Sequence, residues 1–275
     1  MKKINLQAYN LFDYLDELNA KELNAEQFFV SVPIAEETKV IDNQNLCPYK
    51  IPTIDEIIKQ IDNLGYDINK SKLISDTFEC GAIAISNAVD FTKYDEREEK
   101  YKQIMQSYKP KERELIADLF GKIFALLSSV VYDNGRFDDY LGNLFMRCNQ
   151  GNKHCGQFFT PYYISHFMAN IAVTDDKIAN NEILTISDCC CGAGGMLVAA
   201  IDVLKNTYNV NYAMNCFIDA SDIDIRCVHM TYLQLSIAGV PAIVKHQNSL
   251  SRELCSVWKT PAYIMQYPRF CKNEN

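Results

Sequence analysis

Apolar positions along the chain change their period near residue 183, and the change separates two kinds of structure. Up to about residue 145 the pattern is helical and locally polar, with apolar side chains at three- and four-residue spacing over 11–18 and 53–61. Thr53 and Glu56, just after Pro52, read as a capping box that opens the second of these helices. The strongest helix is expected over 112–132, entered after Pro110 and closed near Asn134-Gly135. Residues 93–111 are dense in charge and read as a solvated helix face or a linker. A further helix opens at Tyr162.

From 183 onward, short β-rich runs alternate with helical ones. Strands are expected over 183–187, 213–218, 242–245 and 262–265, with helices over 195–205 and 225–238. Such alternation predicts an α/β fold, a parallel sheet wound with crossover helices. Ligands of such sheets bind at the carboxyl ends of the strands. The expected organisation is a mainly helical region over 1–134 followed by an α/β domain over 135–275.

Composition narrows the class. At 275 residues with 48% hydrophobic and 23% charged side chains, the chain has the make-up of a globular protein. No apolar run approaches the roughly 20 residues that span a bilayer, and the start, Met1-Lys2-Lys3, leads into a polar helix pattern and not a signal-peptide core. A cytoplasmic protein with no membrane partner is expected. The eleven cysteines are odd in number, three of them adjacent at 189–191, and no CxxC pair occurs. Reduced thiols are the expectation. Cys148, His154 and Cys155 come nearest to a metal cluster but lack the spacing of a zinc site, so no metal is expected. A net charge of −8 is not that of a free-standing nucleic-acid binder. Any strong grip on DNA is expected to come from a partner or a further domain.

Four segments carry candidate chemistry. Gly156-Gln157-Phe158-Phe159-Thr160-Pro161 opens the helix at Tyr162. Asp188-Cys189-Cys190-Cys191-Gly192-Ala193-Gly194-Gly195 follows the first strand, and glycines there let a ligand approach main chain. Ala220-Ser221-Asp222-Ile223-Asp224 follows the second strand, where a carboxylate can accept both hydroxyls of a ribose. His246-Gln247-Asn248-Ser249-Leu250 follows the third. No lysine with serine or threonine sits in the glycine corner, which disfavours ATP and GTP, and the spacing of a dinucleotide fingerprint is absent. A nucleoside without an obligatory phosphate remains, and S-adenosylmethionine fits. Each segment alone also has a plain structural reading: a packing turn at the corner, core aromatics at Phe158 and Phe159, and an N-cap at Asp222 for the helix at Ile225.

Taken in order, these segments resemble the adenine-N6-specific DNA methyltransferases, in particular the modification subunits of type I restriction–modification systems. The approach Asp139-Tyr140-Leu141-Gly142-Asn143-Leu144-Phe145 is similar to the family's lead-in, and the resemblance covers about 135–270. It implies a Rossmann-like S-adenosylmethionine-dependent methyltransferase sheet preceded by the helical region. Phe159, Thr160 and Pro161 would border the methionyl end of the cofactor, and Asp188, Cys191, Gly192 and Gly194 would form the corner beneath it. Asp222 would bind the ribose and Ile223 would pack on the adenine ring. Asn248 stands where the family usually has an aspartate that holds the adenine amino group; its carbonyl can accept that bond without the charge-assisted gain.

The family's catalytic element, Asn/Asp-Pro-Pro-Tyr/Phe after the fourth strand, is replaced by Gln266-Tyr267-Pro268-Arg269-Phe270. Pro268 and Phe270 match it, Tyr267 takes the place of the asparagine, and Gln266 supplies an amide one position early. In the family this element positions the amino group of a flipped-out adenine for direct methyl transfer. The resemblance implies DNA as substrate, met with a specificity subunit or other partner, and leaves room for an oligomer. The chain ends at Asn275, so a truncated sheet is expected. Two readings stay open: a DNA adenine methyltransferase-like enzyme with a degenerate acceptor motif, and a catalytically silent relative that acts through cofactor or protein contacts. An ordinary small-molecule methyltransferase leaves the 156–161 segment without a role.

Overall fold

The computed structural model describes residues 51–65, 68–132, 137–149, 158–179 and 183–270. The helix expected over 11–18, the boundary near 134, and His154 and Cys155 lie outside these residues. Five helices come first: α1 (Ile54–Asp62), α2 (Lys70–Asn87), α3 (Tyr94–Gln106), α4 (Pro110–Tyr132) and α5 (Tyr140–Asn149). Next come α6 (Tyr162–Ala172), α7 (Asp175–Ala179), β1 (Leu184–Asp188), α8 (Gly195–Asn206), α9 (Tyr212–Asn215) and β2 (Cys216–Asp222). The described chain closes with α10 (Ile225–Ile237), β3 (Ala242–Gln247), β4 (Leu254–Lys259) and α11 (Pro261–Phe270). None of these helices is long and apolar enough to cross a membrane.

Local signals account for several of these boundaries. Thr53 and Glu56 form the expected capping box, each side chain bonding the other's backbone N–H at 3.2 and 2.9 Å. Proline occupies the first position of α4 and of α11, where its missing N–H has no helical partner to lose.

The sheet runs β1-β2-β3-β4. β1, β2 and β3 are parallel, with Asp188 opposite Ala220 and Asp222 opposite His246, so the carboxyl ends of all three lie on one edge. α10 packs on β2, β3 and β4, and α2 covers its other side; α6 runs along α8. Core side chains lie on α8 (Leu197, Ile201, Leu204), on α10 (Val228, Tyr232, Leu235), and on the first helices (Ile57 and Ile61 of α1, Phe78 of α2, Leu119 of α4), all at most 1% exposed.

The fourth strand differs from expectation. Residues 262–265 are helical, within α11, and the strand is Leu254–Lys259, antiparallel to β3. A short apolar run has no decisive period, and its start decides the outcome. The Thr260 hydroxyl donates to the Val240 carbonyl at 2.7 Å and accepts from the Ala242 N–H at 2.9 Å and the Tyr263 N–H at 3.4 Å, which fixes the entry into a helix led by Pro261. Because β4 runs backwards, it returns the chain to the amino ends of the parallel strands, with Lys259 opposite Ile243.

The charged run also differs. Most of it is a solvated face, but Arg97 is buried. Its guanidinium donates to Asp90 at 3.1 Å, to the Ser86 hydroxyl and to the Val257 carbonyl at 2.9 Å, and it lies 4.2 Å from the Trp258 ring centre. One side chain thereby joins α2, α3 and β4.

Candidate cofactor site

The corner after β1 is built by backbone that only glycine adopts readily. Gly192 has φ +55° and Gly194 φ +92°, in the left-handed region. A Cβ on Gly194 would stand 2.9 Å from the Thr231 hydroxyl, and one on Gly192 would stand 3.0 Å from the Phe159 ring. The glycines therefore serve both conformation and close approach.

Hydrogen bonds from three directions lock this corner. The Asp188 carboxylate accepts from the Cys190 N–H at 3.0 Å, and the Cys191 N–H donates to the Ser221 carbonyl at 3.0 Å. Asp222 ends β2 and spreads its carboxylate between the N–H of Gly192 and the N–H of Asp224, both at 2.9 Å. On α10, Thr231 donates to the Gly192 carbonyl at 2.9 Å and Gln234 donates to the Ala193 carbonyl at 2.7 Å. Thr231 and Gln234 were not singled out by sequence reasoning. Their signal is two polar residues three apart in the middle of a helix, which places them on one face.

Phe158, Phe159 and Thr160 border the corner, and Pro161 precedes α6. Phe159 is anchored by its N–H to the Met146 sulfur at 3.2 Å and by ring contact with Phe145 at 5.9 Å, while Phe158 is 87% exposed. Between this segment and the corner lies a cleft of about 110 Å³, lined among others by Asp139, Thr160, Ser165, Asp188, Cys191 and Gly192. Burial pushes the Cys191 thiol up to about 12, so it is a packing group and not a nucleophile.

Three sequence expectations change. Asp222 is not the N-cap of α10; Asp224 is, accepting from the Arg226 N–H at 2.9 Å. The Asn248 carbonyl oxygen accepts from the N–H groups of Leu250 and Ser251 at 3.0 and 3.2 Å, so it shapes the β3–β4 turn. Its amide nitrogen is the group left to meet a ligand.

Gln266 is placed far from the corner. Its amide donates to the Ala213 carbonyl at 2.9 Å, ahead of the amino end of β2, while the corner follows the carboxyl end of β1. The cause is the antiparallel course of β4. Tyr267, Pro268 and Phe270 continue in the same helix, α11. The structure thus brings together Phe159, Thr160, Asp188, Cys191, Gly192, Gly194 and Asp222, leaves Ile223 exposed at the rim, and does not bring Gln266 to them.

Three parallel strands, with a glycine corner after the first and an acidic residue closing the second, define a Rossmann-like nucleoside-binding domain. A family model described as N-6 DNA Methylase matches residues 137–275, just over half of the chain, and the chain belongs to that family. S-adenosylmethionine is the cofactor of the family. Among solved structures, one described as a class I S-adenosylmethionine-dependent methyltransferase of Listeria monocytogenes is similar at 18% identity and TM-score 0.36, over 69% of this chain and 57% of that one. The methyltransferase subunit of a type I restriction–modification system of Streptococcus thermophilus is similar at 15% identity and TM-score 0.40, over 74% of this chain and 42% of that one. The chain thus spans about half the length of each. No curated protein matches it.

Proposed function

We propose that this chain holds S-adenosylmethionine at the 188–195 corner and represents the cofactor-binding part of a DNA adenine-N6 methyltransferase from a restriction–modification or mobile-element setting. The observation that supports the reading is the bond from the Gly192 N–H to the Asp222 carboxylate, which sets the acid that closes β2 directly against a glycine corner. The residues fit a nucleoside with an amino-acid tail. Each Asp222 oxygen keeps acceptor capacity beyond the one N–H it receives, and the Ser165 hydroxyl in the cleft is buried without a hydrogen-bond partner. The cleft has room for the small end of such a ligand, and the rest would lie along the rim at Asp222 and Ile223. When bound, S-adenosylmethionine supplies an electrophilic methyl group on sulfur. The residues of this chain would bind and orient it: Asp222 the ribose, Ile223 the base, and Phe159 and Thr160 the tail.

A second reading is favoured by the position of Gln266. With that residue at the amino ends of the strands, the acceptor element is not assembled at the corner, and the chain alone would bind cofactor without transferring methyl. DNA would then be met through a specificity subunit or another partner that also supplies the acceptor site. Calorimetry with S-adenosylmethionine tests the first claim: no binding at millimolar ligand sinks it. Labelled cofactor incubated with mixed DNA separates the two readings, since cofactor binding without adenine methylation supports the silent one.

A further inference from the structure

Asp139 is a carboxylate buried without a counter-charge. It is 6% exposed, immediately precedes α5, and forms no ion pair with any described residue. One oxygen, Oδ1, is fully occupied: it accepts from the Gly142 N–H at 3.0 Å, as a helix cap does, and from the Gln234 amide at 3.0 Å. Oδ2 receives no hydrogen bond from a described residue. It lies instead against two glycines, and a Cβ on Gly195 would stand 2.8 Å from it, with one on Gly142 closer still. Asp139 also lines the cleft under Phe159, beside the partnerless hydroxyl of Ser165.

Capping α5 explains Oδ1 and leaves Oδ2 without a purpose. Asparagine or serine caps a helix as well as aspartate and carries no charge into the interior. Burial holds the Asp139 carboxyl above its ordinary value, and neighbouring Asp138 pushes the same way, against the hydrogen bonds from Gln234 and Gly142. A buried charge of this kind is stabilised by an opposite charge arriving beside it. The other carboxylate in the cleft, Asp188, already bends back to the Cys190 N–H.

We propose that Asp139 receives the α-ammonium group of the cofactor's amino-acid tail through Oδ2, with the Ser165 hydroxyl as a second contact to that tail. The inference rests on the cofactor reading above and goes beyond it by assigning the residue that recognises the tail. Gly142 and Gly195 are glycines because the carboxylate must stand against their Cα atoms to face the cleft. Gln234, bonded at once to Asp139 and to the Ala193 carbonyl, holds the acid in register with the corner.

The test compares two nucleosides on the full chain by calorimetry: S-adenosylhomocysteine, which carries the ammonium, and methylthioadenosine, which lacks the whole tail. Asp139→Asn keeps the cap and the Gln234 bond while removing the charge. The expected result is a loss of about tenfold or more in affinity for S-adenosylhomocysteine, unchanged affinity for methylthioadenosine, and an unchanged unfolding temperature. No loss, or an equal loss for both ligands, overturns the assignment and leaves the cofactor reading standing. Failure of the wild-type chain to bind either nucleoside overturns the cofactor reading itself. Should Asp139→Asn not fold, the wild-type chain is titrated with the analogue lacking only the α-amino group, for which the same tenfold weakening is expected and equal affinity overturns the proposal.

Discussion

The Asp222 carboxylate accepts the Gly192 N–H at 2.9 Å and so ties the end of β2 to the corner that follows β1. With Asp222 only 9% exposed, that bond forms largely away from water. Asp222→Asn keeps one acceptor but faces the second N–H with an amide donor. A stability loss of about 1.5–3 kcal/mol is expected in urea unfolding. Because ribose is common to both nucleosides, affinity for S-adenosylhomocysteine and for methylthioadenosine should fall together, by about tenfold. A loss confined to one of them contradicts the ribose role.

Gly194 and Gly239 make an internal comparison of strain and space. Both have left-handed φ, +92° and +72°, but a Cβ on Gly239 meets nothing within 4 Å, whereas one on Gly194 meets the Thr231 hydroxyl. Gly239→Ala should cost about 1 kcal/mol from backbone conformation alone. Gly194→Ala should cost about 2–4 kcal/mol, because overpacking adds to the strain. Equal costs in denaturant titration would show that the Thr231 contact relaxes without penalty.

Arg97 offers a test of how the helices are fastened to the sheet. Lysine at this position keeps the charge but cannot reach Asp90, Ser86 and the Val257 carbonyl at once or stack flat on Trp258. Arg97→Lys should lower stability by about 2–4 kcal/mol. Burial raises the Asp90 carboxyl while its bonds from Thr92 and Arg97 lower it, and the bonds prevail, leaving it below its ordinary value. The loss should therefore shrink in acid as Asp90 takes up its proton, which unfolding curves at neutral and low pH can measure.

His229 sets an acid limit on the fold. Its ring meets Trp258 edge-on at 4.8 Å, its Nε2 is buried without a partner, and burial lowers its pKa to about 3. The unfolded chain binds a proton near pH 6.5 and the folded chain does not, so stability is lost as pH falls through that window. Between pH 6.5 and 5 the loss from this residue is on the order of 2 kcal/mol. His229→Phe should flatten the pH dependence of the unfolding temperature between pH 7 and 5. An unchanged slope would assign acid sensitivity to other groups.

The corner was legible in the sequence because glycine has few substitutes where φ is positive and because an acid followed the second strand at a workable interval. The capping box at Thr53 and the long helix from Pro110 were legible for similarly local reasons. What was not legible depended on distant partners. Arg97 sits in a charge run and looks solvated until its bond to Val257, 160 residues away, is seen. Asp139 stands in the lead-in over 139–145, but its place beside the corner shows only in the folded chain, where Gly195 and Gln234 close around it. The strand at Leu254–Lys259 is hidden because its side chains do not alternate in hydrophobicity, and residues 262–265 look like a strand unless Thr260-Pro261 is taken as a helix start.

The reversal of β4 gives the sheet two ends that can be addressed separately. A spectroscopic label or fusion joined to α11 reports from the amino ends of the strands and leaves the Gly192 edge open to ligand. Conversely, a partner that grips α11 holds the domain from behind, like a handle, and leaves the corner free to face whatever that partner presents.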